Sequence, residues 1–436
     1  MSITPAETLT DRSRQQTLQR LGIFCGFAAA LWLAGAEAPT KLVTVSVSPL
    51  VISFMMVFGA FVSRWSLPAL LSGTRDTVSD ARHVPHLILW GVMAGCLWAI
   101  GNTLTIFAVR DIGLSLAFPL WNANSLVGVL WGILLFKELH GASWFRKLGV
   151  IGGAVVIFIG ALFISAASTS QAGHGNALRG VLAACGASLM FGSMYIPYRK
   201  AYITGMNPLT FLTFFTLGEI VTVTFIATAF LGGVGPFAHQ LSLDRHILFW
   251  PFLGGFMWVI GDLFQNYATK YVGISRAIPL SNTNQLWGLL WAVFVFSELR
   301  GLTGNIYLQV VGGSLLMAAG AVSIACSSAS AKEYVSWQEA AQREARLYNI
   351  SPSYVVARMQ GCDSEAQSSP RSSFGRRSGI DLLIITVATC IFVALGAMVR
   401  IPVMEIHFVW LAVLTLAMLL ALVAGAIALW RVTGFN

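Results

Sequence analysis

Ile278-Pro279-Leu280-Ser281-Asn282-Thr283-Asn284-Gln285-Leu286-Trp287-Gly288 lies within an apolar segment long enough to cross a membrane, yet it holds a proline and a run of amide side chains. Hydrocarbon offers those amides no partner, so the patch belongs against a cavity or another helix and not against lipid. Proline has no amide hydrogen. The carbonyl of Ser275 therefore loses its helical partner, and the segment is expected to kink or unwind at Pro279.

The stretch has a second copy, Phe118-Pro119-Leu120-Trp121-Asn122-Ala123-Asn124-Ser125-Leu126-Val127-Gly128, at a spacing of about 160 residues. In this register Pro119 pairs with Pro279, Asn122 with Asn282, Asn124 with Asn284, Trp131 with Trp291 and Glu138 with Glu298. Extended without a gap, it also pairs Gly95 with Gly255, Trp98 with Trp258, Gly101 with Gly261 and Gly113 with Gly273. Two unrelated apolar spans would not keep Trp, Pro and Asn in step, so the chain is an internal repeat.

Composition sets the solvent. The chain is 56% hydrophobic and 10% charged, against about 25% charged residues in a soluble domain, which makes it a polytopic membrane protein. The net charge of +9 collects in short loops and one polar segment, a positive-inside pattern that does not call for nucleic acid. The six cysteines have no metal-ligand or disulfide spacing and read as small buried hydrophobes. No cofactor is implied.

Apolar segments fall near 21–38, 45–63, 87–109, 112–136, 147–167, 178–197, 208–232, 246–269, 273–297 and 305–326, each close to the ~20 residues needed to span. Ala36-Glu37-Ala38 looks like a signal-peptidase site, but Gly22 to Lys41 aligns with Gly180 to Arg199, so a retained first helix is expected. Five spans per repeat make the second half enter from the opposite side, an inverted-topology pair. The expected fold is an all-α membrane protein: a ten-helix inverted 5+5 repeat plus a C-terminal two-helix hairpin. With both termini in the cytoplasm, the inner loops hold Arg64, Arg75, Arg82, Lys137, Arg199, Lys200 and Lys270, and the outer loops hold fewer basic residues. The expected units are a tail at 1–20, repeats at 21–167 and 177–326, a cytoplasmic linker at 327–379 and an accessory hairpin at 380–431 that could support oligomerisation. In the linker, Tyr334, Trp337, Ala341, Ala345 and Tyr348 recur at helical spacing, which suggests an amphipathic helix on the inner membrane surface.

Candidate binding groups follow from the amides and their helical neighbours. Asn122, Asn124, Asn282, Asn284 and Gln285, with Trp121, suit a hydroxyl-rich solute, or else tie helices together. A companion face carries Trp98 and Asn102 in one repeat and Trp258, Asp262 and Gln265 in the other, where an aromatic plate beside hydrogen-bonding groups suits a sugar ring. Asp262 is the sharpest residue. A carboxylate near mid-membrane costs at least ~2.5 kcal/mol unless protonated or paired, and its repeat mate is the neutral Asn102. It is expected to bind a coupling proton or contact substrate, with Glu219 a weaker candidate and a pair with Lys270 or Arg276 the structural alternative. The Lys137-Glu138 charges, at a span end, read as interfacial anchors.

These residues resemble the drug/metabolite transporter superfamily and, within it, the glucose/ribose porter branch and its sugar and ureide permease relatives. The resemblance rests on Gly95, Trp98, Gly101 and Asn102 before Pro119, Asn124, Gly128, Trp131, Gly132, Lys137 and Glu138, and on Gly255, Trp258, Gly261, Pro279, Gly288, Trp291 and Glu298. It implies secondary active transport of a small polar metabolite, foremost a sugar, by alternating access at the cell membrane, coupled to a proton or sodium. An exporter or permease of a ureide, drug or amino acid, and a non-transporting sensor, are the alternatives. An enzyme is not expected. Val259-Ile260-Gly261-Asp262 resembles an intramembrane aspartyl-protease motif but has no second mid-membrane aspartate, and neither a phosphate-binding Gly-rich loop nor a His-Glu-x-x-His occurs.

Overall fold

The computed structural model describes residues 5–41, 47–71, 73–112, 117, 120–166, 176–297, 304–327, 329–351, 354–355, 359, 378–400 and 406–435. The described residues are helical with connecting turns. Helices α1 (Pro5–Lys41), α2 (Pro49–Leu71), α4 (His86–Ile112), α5 (Asn124–Phe136) and α6 (Trp144–Ala166) form the first repeat, with a short α3 (Thr74–His83) between the second and third spans. The second repeat holds α7 (Ala177–Ile203), α8 (Pro208–Phe230), the short α9 (Val234–Leu243), α10 (Phe249–Val272), a broken span and α13 (Gly304–Cys326). The broken span is α11 (Ile274–Ser281), α12 (Asn284–Leu290) and a π-helical turn at Trp291–Val295. Then come α14 (Ala331–Leu347) and the hairpin α15 (Gly379–Met398) and α16 (Phe408–Thr433).

Among the described residues nine helices are long and apolar enough to cross a membrane. The 24-residue α10 is as long, but it carries Asp262, Gln265, Asn266 and Lys270, all buried, so protein and not lipid satisfies it. The other two crossings are the interrupted ones, α5 with the turn before it and α11–α12.

Packing follows a two-fold exchange of the repeats. α1 packs on α10 and α4 on α7; α2 packs on α10 and α4 on α8; α1 meets α11 and α12, and α5 meets α7. Each of these contacts has its repeat counterpart, while α6 with α13, α2 with α8 and α5 with α11 pair with their own mates. Directions agree with inversion: Gly149 lies against Ser327, Gly153 against Ile324 and Gly160 against Met317, so α6 and α13 are antiparallel. Four glycines let backbones touch where helices of the two halves run parallel. A Cβ on Gly59 or Gly255 would collide with the carbonyl of Phe252 or Met56, and one on Gly95 or Gly218 with that of Phe215 or Val92. Small residues at such crossings replace the hydrophobic driving force that lipid does not supply.

The first turn of α14, Ser330 to Glu333, is a capping box. α14 covers one end of the bundle, with Trp337, Ala341 and Ala345 buried against it. We call this the linker end. The hairpin is fastened at both ends. Asp381 accepts from the Thr74 amide at 2.7 Å, and the Phe435 carbonyl accepts from Asn207 Nδ2 at 2.9 Å and the Tyr267 hydroxyl at 2.8 Å. At the far end the Arg400 amide donates to the His246 carbonyl at 2.8 Å.

Candidate functional site

The interrupted spans cross at their asparagines. Asn282 Nδ2 donates to Asn124 Oδ1 at 2.7 Å and to the Asn122 carbonyl at 3.4 Å. The crossing thus joins the two repeats through their own symmetric residues. Pro279 lies inside α11, and the break comes three residues later, at Asn282 and Thr283. Only one backbone bond is lost at a proline so close to the helix start; the chain opens where Asn282 turns to Asn124. Pro119 lies outside the described residues, and the matching interruption is the turn at Ala123. Trp121 packs with Ala117, Ala108 and Ala183.

Other amides keep unused capacity. Asn284 Oδ1 and both side-chain polar atoms of Gln285 and of Gln265 are buried with no hydrogen-bond partner among the described residues. Unpaired buried amides are costly, and a solute hydroxyl or water would satisfy them.

Trp98 and Trp258 are repeat mates and meet directly, with ring centroids 5.2 Å apart and planes at 56°. That spacing leaves no room for a sugar ring between them, so they are not two walls of an open slot. α10 runs toward the linker end and α4 away from it. Asp262, one turn beyond Trp258, is therefore on the linker side of the pair, and Asn102, one turn beyond Trp98, is on the far side. Asn102 Nδ2 donates to Ser53 Oγ at 2.5 Å.

The partner of Asp262 is neither Lys270 nor Arg276. It is Arg64, which is fully buried inside α2 and not in a loop. Arg64 Nη2 donates to Asp262 Oδ2 at 2.6 Å and Nη1 pairs with Glu219. The Tyr198 hydroxyl donates to Asp262 Oδ1 at 3.4 Å. The guanidinium lies 4.3 Å from the Phe215 ring and 5.4 Å from that of Trp258, so cation–π contacts add to the ion pairs. With both carboxylates ionised, one cation between them would leave this cluster one negative charge in excess.

A second buried cluster seals the linker end. Glu138 is no surface anchor: its carboxylate accepts from the amides of Ile274 at 3.0 Å and Ser275 at 2.8 Å, and pairs with Arg199 at 3.1 Å. It caps α11 where that helix exposes amide hydrogens, a favourable place for an anion. Arg199 also donates to the carbonyls of Thr269 and Lys270 and lies 4.2 Å from the Trp337 ring. Arg276 pairs with Glu333 of α14 at 3.1 Å. Glu298, the repeat mate of Glu138, lies outside the described residues.

Repeat mates differ in burial. In α10, Asp262 and Gln265 are 2% and 1% exposed, whereas their mates in α4, Asn102 and Thr105, are partly exposed; Ala268 and its mate Ala108 are both fully buried. The linker end is closed by Tyr198, Tyr202, Phe211 and Phe215, all fully or nearly fully buried.

Residues 77–231 and 218–348 match a family model described as "Sugar transport protein". Among curated relatives, a protein of Listeria innocua named for sugar uptake is 24% identical over 236 residues, covering 53% of this chain and 76% of its own. One from Streptococcus pyogenes, also named for sugar uptake, is 24% identical over 240 residues, covering 53% and 79%. A Staphylococcus epidermidis protein named for glucose uptake is 22% identical over 245 residues, covering 53% and 78%.

Proposed function

The chain belongs to the sugar transport protein family, and from that premise we propose that it takes up a sugar by alternating access, driven by a proton, with both termini in the cytoplasm. The coarse conclusion, a multi-pass membrane protein of sugar transport, follows from the family and the apolar helices. The observation that carries the finer reading is the burial of Asp262 and Gln265 on α10 against the partial exposure of their repeat mates Asn102 and Thr105 on α4. Two halves of like sequence in unlike states are what a carrier needs to expose one site to each side in turn: exchanging the two conformations opens the linker end and closes the other.

In this reading the site lies between the asparagine crossing and the Trp98–Trp258 pair. The free amides of Asn284, Gln285 and Gln265 replace water around the hydroxyls, and the tryptophan pair presents an apolar edge to the ring. Asn124 and Asn282 hold the two halves in register. The coupling step belongs to Asp262, with Glu219 holding Arg64 in place. A proton on Asp262 cancels its attraction to Arg64 and weakens the bond that ties α2 to α10. Closure around sugar then need not carry a buried net charge. Glucose, named for one relative, is the first sugar to try.

The test is labelled-glucose uptake in proteoliposomes under an inward proton gradient. Wild type should accumulate sugar, and Asp262→Asn should retain counterflow exchange while losing accumulation. Unchanged accumulation in Asp262→Asn removes that residue from coupling. Failure of wild type to move any of a panel of sugars removes the transport reading itself.

A further inference from the structure

A cleft of about 470 Å³ opens at the linker end between α5, α7 and α14. Three cations line it, Lys137 from the end of α5, Lys200 from the end of α7 and Arg343 from α14, against one carboxylate, Glu344. Lys200 is shared, 3.5 Å from Glu344 and 4.5 Å from the ring of Trp90. Lys137 and Arg343 are exposed. The cleft therefore keeps an excess of two positive charges.

Its position decides what those charges meet. α5 and α7 both end here, so the cations stand where the membrane-spanning helices leave the hydrocarbon. Directly below Lys137, Leu135 is 51% exposed and lines the same cleft. The cavity is thus cationic at its mouth and apolar toward the bilayer. A free phosphate would use the cations and leave the apolar wall wet, whereas a phospholipid uses both. Basic pockets between helices at the membrane face recognise anionic headgroups in this way.

We infer that this cleft is a binding site for an anionic phospholipid, whose headgroup phosphate bridges Lys137 and Arg343 and so ties α14 to the bundle. The inference does not depend on which solute is carried. Removing two cations near a membrane surface, each contributing about a factor of five, should lower the preference for an anionic lipid by at least about tenfold.

The experiment uses the full chain reconstituted in nanodiscs of phosphatidylcholine with a minority of phosphatidylglycerol, then released into detergent for native mass spectrometry. Wild type should retain phosphatidylglycerol in strong excess over its share of the bilayer, and Lys137→Gln/Arg343→Gln should retain the two lipids near parity. Arg245→Gln, an exposed cation at the opposite end, should keep the wild-type ratio. Unfolding midpoints of all variants establish that each is folded. Equal retention by wild type, an unchanged ratio in the double variant, or the same loss in Arg245→Gln would each overturn the proposal. Displacement of the lipid by millimolar inorganic phosphate would also overturn it, by assigning the cleft to a free anion.

Discussion

Replacing Arg64 with Met removes the cation from a cluster in which the side chains of Arg64 and Glu219 are fully buried and that of Asp262 is 3% exposed. The remaining carboxylates then face each other without a counter-charge. Losing one partner of a buried ion pair costs about 3–5 kcal/mol, and here a single substitution strands two acids, so the loss should fall at the upper end of that range or beyond. Neutralising all three groups together is different: Arg64→Met/Glu219→Gln/Asp262→Asn keeps the shapes and removes the charges, and such replacements are often neutral or stabilising. The triple variant should therefore recover most of the stability lost in Arg64→Met. The assay is the unfolding midpoint in detergent at one fixed scan rate, because the midpoint of an irreversible transition depends on that rate. A triple variant as unstable as Arg64→Met, or an Arg64→Met that unfolds at the wild-type temperature, would refute the placement of Arg64 between the two acids.

Gly95→Ala and Gly255→Ala should each destabilise by about 1–3 kcal/mol through overpacking, because their Cβ atoms meet the backbone of a neighbouring helix; Gly312→Ala, with nothing within 4 Å, should not. Equal midpoints in all three would deny the close approaches. Asn124→Leu removes the 2.7 Å bond at the helix crossing and should weaken sugar affinity in equilibrium binding without preventing membrane insertion, with wild-type affinity counting against a site at the crossing. Glu138→Gln loses the Arg199 pair and the charged cap of α11; at about 1.5–3 kcal/mol for bonds to a charged group, its unfolding midpoint should fall clearly, and no change would contradict the buried cap.

The repeat and the helical class were legible because Trp, Pro and Asn recur in one register. The location of the charges was not. Arg64 follows a run of apolar residues and precedes Trp65-Ser66, so it reads as the start of a loop, but α2 continues to Leu71 with Pro68 inside it. A signal was present: two mid-span acids need a cation, and Arg64 stands five residues after Gly59, where the other repeat has Val223 five residues after Gly218. Glu138 likewise sits at the end of an apolar run, and nothing local tells an anchor from a cap on a helix 136 residues away. The apolar stripe of α14 was readable, but a stripe fits a membrane surface or a bundle end equally well. The buried stripe and the Arg276–Glu333 pair are what fasten it to the bundle end.

The central claim is that the two repeats exchange conformations, and cysteine accessibility in proteoliposomes tests it most directly. In a chain whose six cysteines are replaced by alanine, Thr105→Cys should react with an impermeant maleimide from the side away from the linker end, and Gln265→Cys should be protected. Sugar and a proton gradient together should reverse the pattern, protecting position 105 and exposing position 265 from the linker side. Reactivity that changes at neither position, or that rises at both at once, would contradict the account.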